Sequence, residues 1–187
     1  MIAVHGDFDE RLARVEAQLA IRQLAARYAV AVDARDLDSL VALFVDDVDC
    51  GRFGTGRDAL RAFYTPVLQR FYRSVHHNGG HTIDLTDGDH ATGKVYCRAE
   101  HEVGDEWIVQ LLCYHDDYER RDGEWQFARR RPLSWLSTDV LQRPSGPEFE
   151  KWASQRPAAL PGRFPAWRPF WAAAGADAEA KVTSAPR

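Results

Sequence analysis

Apolar residues recur at helical spacing through the first part of the chain. The series begins with Leu12, Val15 and Leu19 and continues with Ile21, Leu24, Ala25, Tyr28 and Val32. Asp9 stands just before this series and is a suitable N-cap residue. The pattern therefore predicts a long helix over residues 9–33, which the polar segment "DARDLDS" ends.

Three shorter elements follow before the pattern changes. Residues 37–44 continue the helical spacing and predict a second, short helix. The segment "DDVDCGRF", residues 46–53, predicts a short strand. Residues 56–72 predict a third helix, and Pro66 inside it predicts a kink or break, because proline removes a backbone hydrogen bond.

From about Val75 onward the apolar positions alternate with the period of two that is typical of β-strands. Turn signals at Asp87-Gly88-Asp89, "VGDE" and "RDGE" separate these runs. Helices followed by an antiparallel meander predict an α+β fold, with helices packed on one face of a curved sheet. The inward face of the second strand is predicted to carry Val95, Cys97, Ala99 and His101.

The composition changes again at Pro144, where Pro, Ala, Trp and Arg become frequent. We expect residues 1–143 to form the folded domain and 144–187 to form an arm and tail. Several aromatic residues of the arm need an apolar surface, on their own subunit or a neighbouring one. A pocket lid and a membrane contact are the alternatives. The aromatic residues are Phe164, Trp167, Phe170 and Trp171.

Bulk properties narrow the class of protein. A net charge of −4 argues against nucleic acid as a partner, because such proteins carry a basic stripe. Long apolar runs are absent from the sequence and residues 1–20 lack the core of a signal peptide, which argues against a membrane partner. Three widely spaced cysteines, Cys50, Cys97 and Cys113, predict reduced thiols in a cytoplasmic protein.

Three histidines lie close together in "VHHNGGHTIDL". Strand alternation places His76 and Asn78 on one face, and His77 and His81 on the other, as surface or interface residues. Asn78 is then expected at the rim of the site, and Gly79-Gly80 is expected to allow a bulge that aims His76 inward. No metal site is expected, because residues four apart on a strand lie too far apart to share an ion.

Asp33 stands at the end of the first predicted helix, where the helix dipole disfavours a carboxylate. It is either a turn residue that bonds its own backbone or a group held by a cationic partner such as an imidazolium. A GxSxG motif, a glycine-rich phosphate loop and an activated cysteine are all missing from the sequence. Covalent catalysis and nucleotide chemistry are therefore weakly supported.

The segments "IRQLAARYAVAVDARDLDSLVALFVDDV", "GRDALRAFY", "HHNGGHTIDL" and "YERRDGEWQFARR" resemble the SnoaL-like branch of the nuclear transport factor two-like superfamily. The resemblance covers about residues 9–140 and implies a cone-shaped α+β barrel. The polar positions are most similar to scytalone dehydratase, hexachlorocyclohexane dehydrochlorinase and bile-acid 7α-dehydratase. Members of this fold also include cyclases, isomerases and non-enzymes, so the fold alone does not fix the activity.

The resemblance implies a set of site residues. Asp33 and His76 match a catalytic dyad, and Tyr28 matches a tyrosine five residues before the aspartate. His101 matches a second pocket histidine and Arg130 a late arginine, with one residue of latitude within Arg129–Arg131. Two positions depart from scytalone dehydratase, because Cys50 and Tyr114 replace its substrate-polarising tyrosine and its pocket asparagine. Both are retained as candidate substrate contacts.

This resemblance implies a lyase that needs no cofactor. His76 would remove a proton next to a carbonyl of a bulky apolar hydroxy compound, such as a steroid or polyketide, and water would leave. An aldol cyclisation or a double-bond shift by the same base is the enzymatic alternative, and a non-catalytic binding domain is the other. The resemblance also implies a homo-oligomer, a dimer or a trimer.

Overall fold

A computed structural model describes residues 8–104, 106–141 and 165 of the chain. Its helices are α1 (Phe8–Ala34), α2 (Leu37–Ala42) and α3 (Arg57–Leu68). Its strands are β1 (Ser74–Leu85), β2 (His90–Val103), β3 (Glu106–Arg121) and β4 (Glu124–Asp139). Apart from Pro165, the arm predicted over residues 144–187 lies outside the described residues and stays a prediction.

The helices lie close to where the sequence predicts them. A carboxylate oxygen of Asp36 accepts the Ser39 amide at 3.0 Å and caps α2, so the chain restarts as a helix two residues after α1 ends. Pro66 does not break α3, which continues to Leu68, because a proline in the last turn disturbs only that turn. The helix nevertheless stops short of the predicted end at Tyr72.

The strand predicted over residues 46–53 is wrong. Gly51–Phe53 form a single turn of 3-10 helix, and one isolated bridge joins Asp49 to Thr55. The Asp49 side chain accepts the backbone N–H of Gly51 at 2.8 Å, and the φ of Gly51 is +59°. This local turn chemistry overrides the strand propensity of the valine and aromatic residues.

The four strands form one antiparallel sheet in the order β1-β2-β3-β4, as the meander predicts. The sheet is curved and the helices cover its inner face, which gives the expected α+β cone. Phe44, just after α2, makes a parallel bridge to Phe127 of β4 and fixes the α2–α3 connection to the sheet. The inward face of β2 is confirmed, since Val95, Cys97, Ala99 and His101 are all buried.

A bulge divides β1 into two halves. Asn78 pairs with Cys97 and His81 pairs with Val95, so Gly79 and Gly80 together oppose a single residue of β2. The bulge was expected, but its effect was not. The extra residue reverses the side-chain parity, so His81 lies partly buried on the inner face like His76. The prediction that His81 is a surface residue is therefore wrong, whereas His77 is exposed as predicted.

The absence of a side chain at Gly93 of β2 leaves room for the side chains of His81 and Tyr118, which contact each other there. A Cβ atom at this position would lie 2.8 Å from the Thr82 carbonyl oxygen and 3.0 Å from a ring carbon of Tyr118. We expect Gly93→Ala to lower the free energy of unfolding by about 1–3 kcal/mol, because the Thr82 backbone has to move. Urea denaturation measures this change. Gly88→Ala is the control, because open space surrounds its Cβ position, and an equal loss in both variants would contradict the steric explanation.

Candidate functional site

Asp33 and His76, 43 positions apart in sequence, meet where the C-terminal end of α1 packs on β1. The Nδ1 atom of His76 lies 2.6 Å from Oδ1 of Asp33. The imidazole is almost enclosed, with 7% of its side-chain surface exposed, and the carboxylate is three-quarters buried. The pair predicted from the sequence is thus brought into direct contact.

Three hydrogen bonds hold the Asp33 carboxylate. The His76 backbone N–H donates to Oδ2 at 2.8 Å, and the Ser74 hydroxyl donates to Oδ1 at 2.8 Å, beside the imidazole contact. Burial acts to raise the pKa of Asp33, but these bonds and the proximity of the imidazole outweigh it and lower that pKa. Asp33 is therefore a carboxylate at neutral pH.

The charge of Asp33 determines the tautomer of His76. A carboxylate only accepts hydrogen bonds, so Nδ1 of His76 must carry a hydrogen and donate it. Nε2 of the neutral ring then holds the lone pair and can accept a proton. The arrangement is that of an oriented general base.

Arg35 occupies a strained position directly after α1. Its φ is +60°, and the Arg35 and Asp36 amides donate to the carbonyls of Val32 and Ala31, which closes the helix. Glycine is the usual residue in this left-handed conformation, and any other residue costs about 1–2 kcal/mol there. The contacts of the Arg35 side chain account for the residue present.

The Arg35 guanidinium supports the dyad indirectly, through hydrogen bonds to neighbouring residues. Nη1 donates to the Ser74 hydroxyl at 2.8 Å, and that hydroxyl donates in turn to Asp33. Nη2 donates to the Phe71 carbonyl, and the guanidinium lies 5.0 Å from the centre of the Phe71 ring. Arg35 also brings positive charge to the helix end where the dipole is negative.

His101 lies beside the dyad, as the resemblance implies. Its ring is 5.5 Å from the His76 ring, edge to face, and 4.5 Å from the Phe71 ring. Burial and the adjacent His76 lower the pKa of His101 to about 3. A neutral His101 can exchange hydrogen bonds with a bound molecule, but it brings no positive charge to the site.

Arg130 points into the cone, while Arg129 and Arg131 line a shallow groove on the other face of the sheet. A second bulge decides this, because Asp117 pairs with Arg129 while Tyr118 pairs with Phe127. The guanidinium carbon of Arg130 lies 4.1 Å, 3.8 Å and 4.6 Å from the ring centres of Tyr28, Tyr114 and Phe127.

The Arg130 nitrogens are covered by these surroundings. Within the described part of the chain, none of the three makes a hydrogen bond, and the side chain is 1% exposed. Nε lies 3.7 Å from the buried carboxylate of Asp116. Burial raises the pKa of Asp116 to about 6, and the charge of Arg130 offsets only part of that rise. In this conformation the guanidinium is a buried positive charge that contacts aromatic rings and lies close to one carboxylate.

A hydrogen-bonded chain runs from Asp116 toward the surface. Tyr118 donates to Oδ2 of Asp116 at 2.8 Å, and Nε2 of His81 lies 3.1 Å from the Tyr118 oxygen. Since the hydroxyl proton is used toward Asp116, His81 has to donate to Tyr118. Burial and nearby Arg130 lower the pKa of His81 to about 4, which agrees with a neutral ring.

The other predicted site residues are placed differently. Tyr28 is buried and its hydroxyl lies 3.1 Å from that of Tyr64, while Tyr114 packs edge to face against it. The amide of Asn78 donates to the Ala25 carbonyl of α1 at 3.0 Å, so it joins strand to helix. The thiol of Cys50 is partly buried near backbone carbonyls after α2, and its contacts lie among the loop residues there.

The described residues lack the features of a metal centre and of a membrane-spanning helix. Within residues 8–104 and 106–141, no three His, Cys, Asp or Glu side chains are grouped so that they could hold a metal ion. The helices of this same part include none that is both long and apolar enough to span a membrane. All three cysteines are free thiols.

Sequence reasoning missed the supporting residues. Ser74 stands two positions before His76 on the same face of β1, so strand alternation could have identified it. Arg35 could have been identified from its position directly after the helix, where a basic side chain complements the helix dipole. Asp116 and Tyr118 continue the inward-facing row of Leu112 and Tyr114 in β3, and they could only be recognised as polar positions on an inward face.

Comparisons with known proteins identify a family and several relatives of this chain. The sequence model of the SnoaL-like domain matches residues 13–131. Gamma-hexachlorocyclohexane dehydrochlorinase from Sphingobium indicum is 26% identical over 126 residues, which span 64% of this chain and 81% of that protein. A candidate scytalone dehydratase from Novosphingobium aromaticivorans is 28% identical with a TM-score of 0.61, over 70% of this chain and 92% of that one. The crystal structure of LinA is 25% identical with a TM-score of 0.64, over 73% and 98%.

Proposed function

The chain belongs to the SnoaL-like domain family, and on this premise we propose that it is a cofactor-independent lyase with His76 as its general base. The names of its relatives denote eliminations, of hydrogen chloride in one case and of water in the other. The reaction proposed here is the elimination of water from a bulky apolar hydroxy-carbonyl compound such as a steroid or polyketide, or the reverse addition.

The contact between Asp33 and His76 carries this proposal. A carboxylate that accepts three hydrogen bonds is held in one orientation, and it fixes the ring nitrogen that carries the hydrogen. Nε2 of His76 would then remove the proton next to the substrate carbonyl, and Asp33 would stabilise the imidazolium that forms.

The leaving hydroxyl needs a proton in a dehydration. His76 itself can return the proton it has taken if both groups leave from the same face of the substrate. Tyr28 is the other candidate, since its phenol carries a proton at neutral pH, but burial raises its pKa and makes it a weaker acid. His101 is less suited to this role because its neutral ring carries no extra proton.

The surroundings support an apolar substrate with one carbonyl. The residues that face the helices from the sheet are mostly apolar or aromatic, which favours a substrate with a large apolar surface. The buried positive charge of Arg130 would favour a developing enolate oxygen on the substrate. Cys50, Tyr114 and Asn78 are kept as secondary candidates for substrate contacts.

The location and assembly of the enzyme belong to the same proposal. Three free thiols suit a reducing compartment, so we place the protein in the cytoplasm. It would work as a homo-oligomer whose only other partner is the small substrate.

Incubation with a panel of steroid and polyketide hydroxy-ketones in heavy water tests the proposed function. Dehydration predicts a product lighter by the mass of water, and base catalysis predicts deuterium at the carbon next to the carbonyl. Deuterium uptake without a loss of mass would instead support an isomerase or cyclase that uses the same base. Binding of panel members without either change would support a non-catalytic binding domain.

Ser74→Ala tests the support of the dyad. Loss of the hydroxyl removes a hydrogen bond that lowers the pKa of Asp33, so that pKa should rise. The pH profile of kcat/KM also depends on the general base, so it does not isolate Asp33. NMR titration of the Asp33 carboxyl carbon follows this group directly and should show its pKa moved to higher pH in Ser74→Ala, with a loss of kcat/KM of about tenfold or less at neutral pH. Ser74→Thr keeps the hydroxyl and should restore the titration, and an unshifted Asp33 titration in Ser74→Ala would exclude this role.

A further inference from the structure

The N-terminal half of α1 exposes a row of large apolar side chains. Phe8, Leu12, Val15 and Leu19 are each between 44% and 70% exposed, and we call these four residues the outer seam. Their spacing of four, three and four residues forms a continuous stripe on a helix. Single exposed apolar residues are common on protein surfaces, but an aligned row of four is not.

The outer seam faces away from the core of its own domain. At about 100° of rotation per residue, it lies roughly opposite the buried stripe that contains Ile21, Tyr28 and Val32. The exposed Val30 falls on the same side of the helix as the outer seam. The early apolar residues of α1 are therefore not the start of its core-facing stripe, although the sequence pattern joins the two.

The spacing of the outer seam is that of two helices packed along each other. Residues that alternate at three and four positions form the contact line of a two-stranded coiled coil. The 12 residues from Phe8 to Leu19 are too short for a stable coiled coil alone. Here they are rigidly continuous with a folded domain, so the helix is already formed before it pairs.

The charges beside the outer seam select the partner and its direction. Arg11 and Glu16 flank the seam at the two positions that face each other in a parallel pair of identical helices. Arg11 of each copy would meet Glu16 of the other, which gives two opposite-charge contacts. An antiparallel pair would instead place Asp9 opposite Glu16, and this contact is repulsive.

We propose that the outer seam is a self-association surface, on which α1 of a second copy packs in parallel about a twofold axis. The two domains would lie on opposite sides of the helix pair, because each seam faces away from its own core, and they would not collide. The surface is separate from the dyad, so the inference stands or falls independently of the proposed reaction.

Charge reversal tests both the partner and the direction. Sedimentation velocity over a range of concentrations should show reversible dimers of the full chain. Arg11→Glu and Glu16→Arg should each weaken the dimer by about tenfold or more, because each replaces two attractions by two repulsions. A mixture of the two variants should associate again, since the introduced glutamate of one chain then meets the introduced arginine of the other. Arg14→Glu is the matched control, because its position faces away from the partner in a parallel pair.

The seam itself is tested by the double variant Leu12→Asp/Leu19→Asp, which should be monomeric. Neither position is buried in the domain, and circular dichroism verifies that the fold is kept. Three results would overturn the proposal. These are a wild-type chain that stays monomeric, as it would if its own tail covers the seam; dimers that persist in the double variant; and charge variants that fail to associate when mixed.

Discussion

His76→Ala is expected to lower kcat by at least about 10²-fold, the scale on which loss of a positioned general base acts. The ring is the part of the dyad that would touch the substrate, and Ala offers no group to take the proton. The fold should persist, because the backbone amide that donates to Asp33 is unchanged in the variant. Steady-state turnover of a substrate found with the heavy-water panel measures the loss.

His77→Ala provides the matched control for this result. His77 is the adjacent residue, but its side chain is exposed on the opposite face of β1. It should keep its turnover within about twofold, the usual range for a surface substitution. If His76→Ala retained wild-type turnover, the base would have to be sought elsewhere in the cone.

Asp33→Asn should lower kcat by a comparable factor of about 10² or more, for a different reason. The amide has nearly the shape of the carboxylate, yet its NH2 group can donate to Nδ1 of His76. The ring would then carry its hydrogen on Nε2, the atom that is needed as the base. The negative charge that stabilises the imidazolium is lost as well.

Two observations separate this explanation from simple misfolding. Asp36→Asn makes the same chemical change three residues away, at the N-cap of α2, where asparagine caps equally well, and it should leave turnover intact. The nitrogen chemical shifts of the His76 ring should also change from the tautomer protonated at Nδ1 to the one protonated at Nε2. An unchanged tautomer with unchanged turnover would contradict the assigned role of Asp33.

The fold could be predicted because its signals are long and regular. The helical period of α1 and the alternation in β2 each extend over many residues, so neighbouring positions agree with one another. The prediction of a strand over residues 46–53 was wrong, because turn-forming residues determine the conformation of so short a segment. The pairing of Asp33 with His76 was predicted from the family resemblance. The sequence pattern by itself was also consistent with Asp33 as a turn residue that bonds its own backbone.

Side-chain direction was harder to predict than the elements themselves. One extra residue in β1 turned His81 inward, and one in β4 selected Arg130 from three consecutive arginines. A bulge reverses the face of the sheet to which each following side chain points. The sequence shows only residues that would permit a bulge, such as Gly79, and not whether one forms. The sequence pattern also combined two faces of α1, the exposed outer seam and the buried stripe, into one series. A row of apolar residues does not reveal whether the rest of the domain packs against it.

The bond from the His76 amide to Asp33 has a consequence for solubility. Among the strands of the described residues, β1 lies at the edge of the sheet, and the unpaired N–H groups of an edge strand can recruit another chain into an aggregate. Asp33 covers one of these donors, and the Asn78 amide ties the same border of the sheet to α1. We therefore expect the residue that orients the proposed base to hinder pairing of this strand with another chain as well. Truncation of Asp33 to alanine would remove both effects, whereas asparagine keeps an oxygen that can still cover the donor.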